Sequence, residues 1–174
     1  MEKKNNVSTK IKKSIETEIK KTKAVQNKYP VKISNYYLNL IKKKNDPIWQ
    51  QCMPNHKELE SDDFSEDPLE EESSTPIPYL VHKYPDRALL LISNKCAVYC
   101  RFCTRKRKVG RTSQIPMDAI FKAIEHIKNT PQIRDVILSG GDPLLRSQKD
   151  LELILKKLRK IPHIEIIRIG TRIP

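Results

Sequence analysis

Three cysteines lie within eight residues of the chain, at Cys96, Cys100 and Cys103. The spacing C-x3-C-x2-C lets one short loop present three thiolates to three irons of a single 4Fe–4S cube. Clusters of this kind usually have four cysteine ligands, so a set of three leaves the fourth iron open to a small molecule. The spacing therefore predicts a reactive iron–sulfur cluster with one open iron.

A zinc site is the alternative use of the same thiols, with Cys52, His56 or His82 as the fourth ligand. Structural zinc sites usually draw their ligands from two closely spaced pairs. The sequence contains no second pair of cysteines, so the spacing favours an iron–sulfur cluster over zinc. Cys52 belongs to no motif and is most simply a small buried side chain.

Five basic residues flank the thiols, and we call them the basic run: Arg101, Arg105, Lys106, Arg107 and Lys108. Nearby positive charge lowers the pKa of a thiol and offsets the negative charge of an iron–thiolate cluster. We therefore predict that the basic run serves the cluster.

A second motif, the glycine turn, is Ser139-Gly140-Gly141-Asp142, which follows an apolar run typical of a strand. Glycines let main-chain groups approach a ligand or adopt positive φ, and all four glycines of the chain lie after residue 109. An ordinary strand-to-helix turn would look the same, with Asp142 as the helix cap. Both interpretations predict a tight turn here.

Strands and helices alternate in the C-terminal half of the sequence. Short apolar runs predict strands at 88–93, 135–138 and 165–169, and helical periodicity predicts helices at 116–129 and 148–160. This order indicates a parallel sheet with right-handed crossovers. Ligands bind such sheets at the carboxyl ends of the strands, so we expect the cysteine loop and the glycine turn to meet at one edge.

The N-terminal half is predicted to be helical. Residues 7–25 form an amphipathic helix, whose apolar stripe comprises Val7, Ile11, Ile15 and Ile19. Ser34 caps a second helix that runs to about Lys44 and that Asp46-Pro47 ends. The acidic segment 58–78 is interpreted as a linker whose negative charge could lie against the basic run.

Composition limits the classes of protein. A chain of 174 residues, 37% hydrophobic and 32% charged, suits one domain or one domain with an appendage. No apolar run suggests a membrane span or a secretory signal, so we expect a cytoplasmic protein without a membrane partner. The net charge of +13 lies mainly in the first 44 residues and in 101–111. A solvated lysine-rich surface explains it better than nucleic-acid binding.

The sequence around these motifs resembles the lysine 2,3-aminomutase family of radical S-adenosylmethionine (SAM) enzymes. The resemblance begins near YPVKISNYYLNLI, continues to Pro174, and is carried by HKYPDRALLLISNKCAVYCRFCTRKRKVG, DVILSGGDPLL and IPHIEIIRIGTRIP. It implies an α/β fold in two parts. Residues 1–85 would form an N-terminal helical region with an acidic linker, and residues 86–174 a truncated radical SAM barrel, about three parallel strands of a partial (β/α)6 barrel.

The resemblance also implies roles for individual residues. The three cysteines would hold the 4Fe–4S cluster, and Phe102 would contact the adenine of SAM. The glycine turn would bind the rest of SAM, with the Asp142 carboxylate accepting hydrogen bonds from its ammonium group. Arg105 would pair with the substrate carboxylate.

Pyridoxal 5'-phosphate (PLP) is a further cofactor that the resemblance implies. Its phosphate would be held by Lys83, Tyr84 and Arg87. The family usually has arginine at the first of these positions, so Lys83 keeps the charge but loses a bidentate donor. The family's PLP-anchoring lysine has no counterpart in this chain.

The implied reaction converts L-lysine into β-lysine. The reduced cluster cleaves SAM, the resulting 5'-deoxyadenosyl radical removes hydrogen from lysine, and the amino group held by PLP migrates from C2 to C3. A flavodoxin or ferredoxin would supply the electron. Family barrels have about six strands, so we expect this N-terminal half to be inactive alone and to need a complementing C-terminal half or a homo-oligomer.

Two other functions stay open. In the sister branch of the family the substrate is a lysyl group attached to elongation factor P; CAVYCR and HKYPDRALLL favour that branch, whereas CTRKRK favours free lysine. The third function is a basic, non-enzymatic protein that binds zinc or nucleic acid. Assembly of an iron–sulfur cluster separates the two enzymes from the binding protein.

Overall fold

The computed structural model describes residues 9–60, 65–111 and 114–173, which belong to two compact units. The helical unit comprises residues 1–68 and 97–107, and the sheet unit comprises residues 69–96 and 108–174. These units do not follow the two parts implied by the family resemblance, 1–85 and 86–174. That domain boundary stays a prediction. Among the described residues, no helix combines the length and apolar content that crossing a membrane requires.

Short helices build the helical unit. Their bounds are α1 Thr9–Lys21, α2 Lys23–Lys28, α3 Asn35–Leu40 and α4 Pro47–Cys52, followed by a 3-10 helix at His56–Leu59. The buried core of this unit comprises Ile15, Ile41, Trp49, Cys52, Met53 and Val98. Ile11 and Ile19 pack against this core, so the predicted stripe is confirmed for three of its members. Val7 lies outside the described residues.

The prediction that Asp46-Pro47 ends a helix is wrong. The helix capped by Ser34 stops at Leu40, and Asp46 begins α4 instead. Its carboxylate accepts hydrogen bonds from Trp49 N at 2.8 Å and from Lys42 N at 2.7 Å. Proline fits the first turn of a helix because that position has no intrahelical N–H partner to lose.

Four strands form the sheet: β1 Leu80–Tyr84, β2 Arg87–Ser93, β3 Asp135–Gly140 and β4 Ile166–Ile169. Their order is β1-β2-β3-β4. β2, β3 and β4 are parallel, as predicted, with Leu90 opposite Leu138 and Val136 opposite Ile167. β1 was not predicted, and it pairs antiparallel with β2 through a hairpin turn at Pro85-Asp86.

Crossover helices connect the parallel strands. α5, Met117–Lys128, joins β2 to β3, and α6, Gln148–Arg159, joins β3 to β4 after a 3-10 helix at Pro143–Leu145. Both α-helices were predicted from their apolar faces. The core they cover includes fully buried leucine and isoleucine side chains from both strands and helices: Leu90, Ile92, Leu138, Ile120, Ile127, Ile154 and Leu158. Each contributes about 1.5–3 kcal/mol relative to an exposed side chain, and this packing fixes the carboxyl ends of the strands.

Candidate functional site

The three motif cysteines are half-buried, and none of them forms a disulfide. Cys96 ends the first segment of the sheet unit, three residues after β2, whereas Cys100 and Cys103 belong to the helical unit. A turn joins the last two, because Cys103 N donates to Cys100 O at 3.2 Å. Across the described ranges, no three His, Cys, Asp or Glu side chains form a ready-made metal site.

Main-chain hydrogen bonds hold the segment around Cys100 within the helical unit. Tyr99 N donates to Lys32 O at 2.9 Å, and Arg101 N donates to Gln51 O at 2.8 Å. Val98 is buried in the core of the same unit. Two of the three thiols therefore stand on a segment fixed by both its backbone and its apolar side chain.

Glu58 binds two members of the basic run. Arg101 donates to its carboxylate through Nε at 3.0 Å and through Nη2 at 2.6 Å, and Lys106 pairs with Oε2. The Arg101 guanidinium also donates to Pro30 O at 3.0 Å. Burial alone would raise the pKa of Glu58, but these hydrogen bonds hold it below its usual value.

Other carboxylates of the acidic segment bind two further members of this run. Arg107 pairs with Asp67 at 2.7 Å in the helical unit, and Lys108 pairs with Glu72 at 3.4 Å in the sheet unit. The predicted contact between the acidic segment and the basic run is therefore confirmed. The interpretation of this segment as a solvated linker did not include these carboxylate partners for the basic run.

Burial controls the protonation of two thiols. It raises the pKa of Cys103, and the N–H of Arg105 and the charges of Arg105 and Lys106 offset only part of this effect. Burial also raises the pKa of Cys52 to about 11, with a further rise from Asp46. Cys52 is fully buried, as predicted.

The glycine turn is bonded to the residues just before Cys96. Gly141 N donates to Ser93 O at 2.6 Å, and Asp142 N donates to Lys95 O at 2.7 Å. Gly140 has φ +118°, and a Cβ at either glycine would overlap the carbonyl oxygen of Ser93 or Lys95. Only glycine allows this approach. The carboxyl ends of β2 and β3 therefore lie together up to Lys95, the residue next to Cys96, whereas the meeting of the glycine turn with the whole cysteine loop stays a prediction.

Asp142 is buried and acts as a cap. Its Oδ1 accepts from Leu144 N at 3.1 Å and from the Thr171 hydroxyl at 2.7 Å, and its Oδ2 accepts from Arg172 N at 2.8 Å. The capping alternative from the sequence is therefore what the structure shows, and contact with a SAM ammonium group stays a prediction. Sequence analysis missed Thr171. Its position, a hydroxyl residue just after the third predicted strand, could have identified it.

Arg146 is a second supporting residue that sequence analysis missed. Its buried guanidinium donates through Nη1 to Ile92 O at 2.9 Å and to Ile115 O at 2.7 Å, and Nε bonds to Asp150 at 3.1 Å. It therefore fixes the carboxyl end of β2. No motif or spacing in the sequence singles it out.

Phe102 and Arg105 stand beside the ligands in the chain. The Phe102 side chain is 66% exposed, although apolar aromatic residues are usually buried. Arg105 is half-buried. Their contacts with SAM and with a substrate carboxylate stay predictions, and the exposure of Phe102 is consistent with stacking on a ligand ring.

The residues expected to hold PLP lie at the end of the sheet opposite the glycine turn, at the start of β2. Tyr84 ends β1 and Arg87 begins β2, so about 20 Å of strand separates Arg87 from Ser93. Arg87 Nε donates to the buried carboxylate of Asp135 at 2.9 Å, and Lys83 Nζ donates to Leu69 O at 3.0 Å. Within the sheet unit, the structure does not bring this set together with the glycine turn.

Comparisons with known proteins agree with the motifs. Residues 90–174 match the radical SAM superfamily. The L-lysine 2,3-aminomutase of Clostridium subterminale is 53% identical over 146 residues, which cover 82% of this chain and 35% of that protein. The L-lysine 2,3-aminomutase of Methanococcus maripaludis is 49% identical over 163 residues, 91% and 37% of the two chains. The glutamate 2,3-aminomutase of Clostridioides difficile is 39% identical over 153 residues, 86% and 36% of the two chains. The chain spans about a third of the length of these curated relatives.

Proposed function

Since the chain belongs to the lysine 2,3-aminomutase family of the radical SAM superfamily, we propose that it serves the migration of the lysine amino group from C2 to C3. Cys96, Cys100 and Cys103 would hold a 4Fe–4S cluster, and the glycine turn would line the SAM site. The observation that carries this proposal is the hydrogen bonding of Gly141 and Asp142 to the residues that lead into Cys96.

The donor set fits the cluster. All three thiols are reduced and half-buried, and thiolate is the ligand that iron–sulfur clusters require. When bound, the cluster and SAM supply the radical that removes hydrogen from the substrate. The chain's own residues would orient the reactants: Phe102 against the adenine, and the Arg105 guanidinium on the substrate carboxylate, whose planar geometry it matches.

PLP is part of the proposal, but the residues present fit it only in part. Lys83 and Tyr84 are largely exposed at one edge of the sheet, and a cation there suits a phosphate. Arg87 fits less well because it already binds Asp135. No step is assigned to these three residues.

Lysine is favoured over glutamate as the substrate. The relatives named for lysine are 53% and 49% identical to this chain, against 39% for the relative named for glutamate. A lysyl group on elongation factor P is the second candidate, supported by the HKYPDRALLL and CAVYCR runs. A flavodoxin or ferredoxin is the proposed electron donor.

Anaerobic reconstitution with iron and sulfide tests the cluster. We expect about four irons per chain and an EPR-active reduced cluster whose spectrum changes when SAM is added. Cys100→Ala should lose the cluster, whereas the matched variant Cys52→Ala should keep it because Cys52 lies outside the motif. Zinc binding without a cluster, or a cluster that SAM does not affect, would refute the proposal.

Reductive SAM cleavage tests the substrate. With dithionite, PLP and a second chain that supplies the remaining strands, we expect lysine to increase the yield of 5'-deoxyadenosine and glutamate to leave it unchanged. Lysylated elongation factor P is the third arm of the assay. Stimulation by that protein alone would assign the chain to the sister branch.

A further inference from the structure

Glu58 lies at the centre of a largely buried charge network in the helical unit. Its Oε1 accepts from Asn55 N at 2.8 Å and from Arg101 Nε at 3.0 Å, and its Oε2 binds Arg101 Nη2 and Lys106 Nζ. The Glu58 and Arg101 side chains are 11% and 7% exposed. Four donors therefore converge on one carboxylate that is shielded from water.

This network is adjacent in the sequence to two of the proposed cluster ligands. Arg101 lies between Cys100 and Cys103 in the sequence, and Lys106 follows Cys103 by three residues. The sequence suggested that all five cations of the basic run offset the charge of the cluster. In the structure, one negative charge on Glu58 meets the two positive charges of Arg101 and Lys106, so the trio carries a net charge of +1.

Charge near a cluster changes the free energy of adding an electron. The net charge and hydrogen bonding around the sulfurs are among the factors that set the reduction potential of a cluster. Salt screens exposed ion pairs strongly, but buried charges act through a lower dielectric and are screened much less. A buried carboxylate at this point therefore disfavours the reduced cluster relative to the same site with uncompensated cations.

We propose that Glu58 is a positioning residue that holds Arg101 and Lys106 beside Cys100 and Cys103 and thereby sets the reduction potential of the cluster. The proposal rests on the cluster assigned above. It concerns a residue that lies far from the cysteine motif in the sequence and touches neither SAM nor substrate in the proposed site.

Potentiometric titrations followed by EPR test this role on the reconstituted chain. Glu58→Gln keeps the shape of the side chain and removes its charge, so we expect the midpoint potential to shift in the positive direction. Glu58→Asp keeps the charge and should stay closer to the parental value. Glu16→Gln is the matched control, because it removes the same charge from an exposed position in α1.

Lys106→Met supplies the opposite test. It removes one cation from the network, so the midpoint potential should shift in the negative direction. The double variant of Glu58→Gln and Lys106→Met should return toward the parental value, because the two charge changes cancel. Comparison of Lys106→Met with the double variant tests the effect of Glu58 on the midpoint potential even if Glu58→Gln alone fails to assemble a cluster.

Equal potentials in the parental chain, Glu58→Gln and Lys106→Met would overturn the proposal, as would an equal shift in Glu16→Gln. A lower cluster content with an unchanged potential would show that Glu58 only stabilises the fold, which also overturns it. A parental chain that assembles no cluster refutes the proposed function and this inference together. A parental cluster with SAM-dependent spectra but no Glu58 effect refutes this inference alone.

Discussion

The glycine turn of the sheet unit and the part of the basic run that belongs to the helical unit are held by different interactions. At the glycine turn, main-chain N–H groups of Gly141 and Asp142 bond to carbonyl oxygens at the end of β2. In the basic run, a buried carboxylate holds the side chains of Arg101 and Lys106. Close backbone approach tolerates almost no substitution, whereas a charge network can be retuned one residue at a time.

Gly140→Ala should have the largest effect on stability, because it disrupts the main-chain contact between the glycine turn and β2. A Cβ at φ +118° would overlap Ser93 O, and backbone strain plus overpacking should reduce the free energy of unfolding by roughly 3–5 kcal/mol. Gly170→Ala is the control, since its Cβ would find ordinary contacts at 3.6 Å. Urea denaturation measures both, and similar losses in the two variants would contradict the comparison.

Arg101→Met should follow, because it breaks the buried network on one side. Loss of one partner from a buried pair typically costs about 3 kcal/mol, although Lys106 would still compensate Glu58 in part. Lys128→Met, which breaks an exposed pair with Glu125, should cost less than about 0.5 kcal/mol. If chemical denaturation gives the same loss of unfolding free energy for both variants, burial of the network does not contribute to stability.

Asp142→Asn is expected to rank third. It replaces one carboxylate oxygen with an NH2 group, so either the two bonds that Oδ1 accepts from Leu144 N and Thr171 or the one that Oδ2 accepts from Arg172 N are lost, together with the negative charge, for a loss of about 2 kcal/mol. Thr171→Val removes one of these hydrogen bonds and the part-buried one that Ile173 N donates to the Thr171 hydroxyl, and should cost about 1 kcal/mol. Thermal unfolding followed by circular dichroism should rank the two in this order, and the reverse order would show that the cap matters little.

Acid should weaken the charge network and leave the glycine contacts unchanged. The pKa of Glu58 in the folded state is below its usual value, despite burial, which alone would raise it. Its stabilisation is therefore complete above the ordinary glutamate pKa of about 4.3 and is lost as the pH falls through the lowered folded value. The difference in unfolding free energy between the parental chain and Glu58→Gln should shrink on acidification, and a constant difference would argue against the network.

Sequence patterns predicted the sheet unit well. β2, β3 and β4 are continuous apolar runs, and α5 and α6 repeat apolar residues on one face, so periodicity alone places them. The cysteine spacing and the paired glycines were equally visible, because each depends on residues adjacent in the sequence.

The remaining features depend on partners that a local pattern does not contain. Glu58 and Arg101 lie 43 positions apart, and charged residues on a surface have no period from which to infer a pair. β1 is short and contains His82 and Lys83, so it lacked the apolar signal of a strand. Asp46 can end one helix or begin another, and only the positions of the surrounding N–H groups decide.

Because carboxylates neutralise most of the basic run, the lysines of α1 and α2 dominate the protein's long-range electric field. Four of the five cations of the run, Arg101, Lys106, Arg107 and Lys108, form ion pairs, and Glu58, Asp67 and Glu72 oppose three of their charges. Between residues 9 and 28, by contrast, seven lysines stand against two glutamates. Attraction of polyanions or of a cation-exchange resin would consequently begin at α1 and α2, and added salt would weaken it there first.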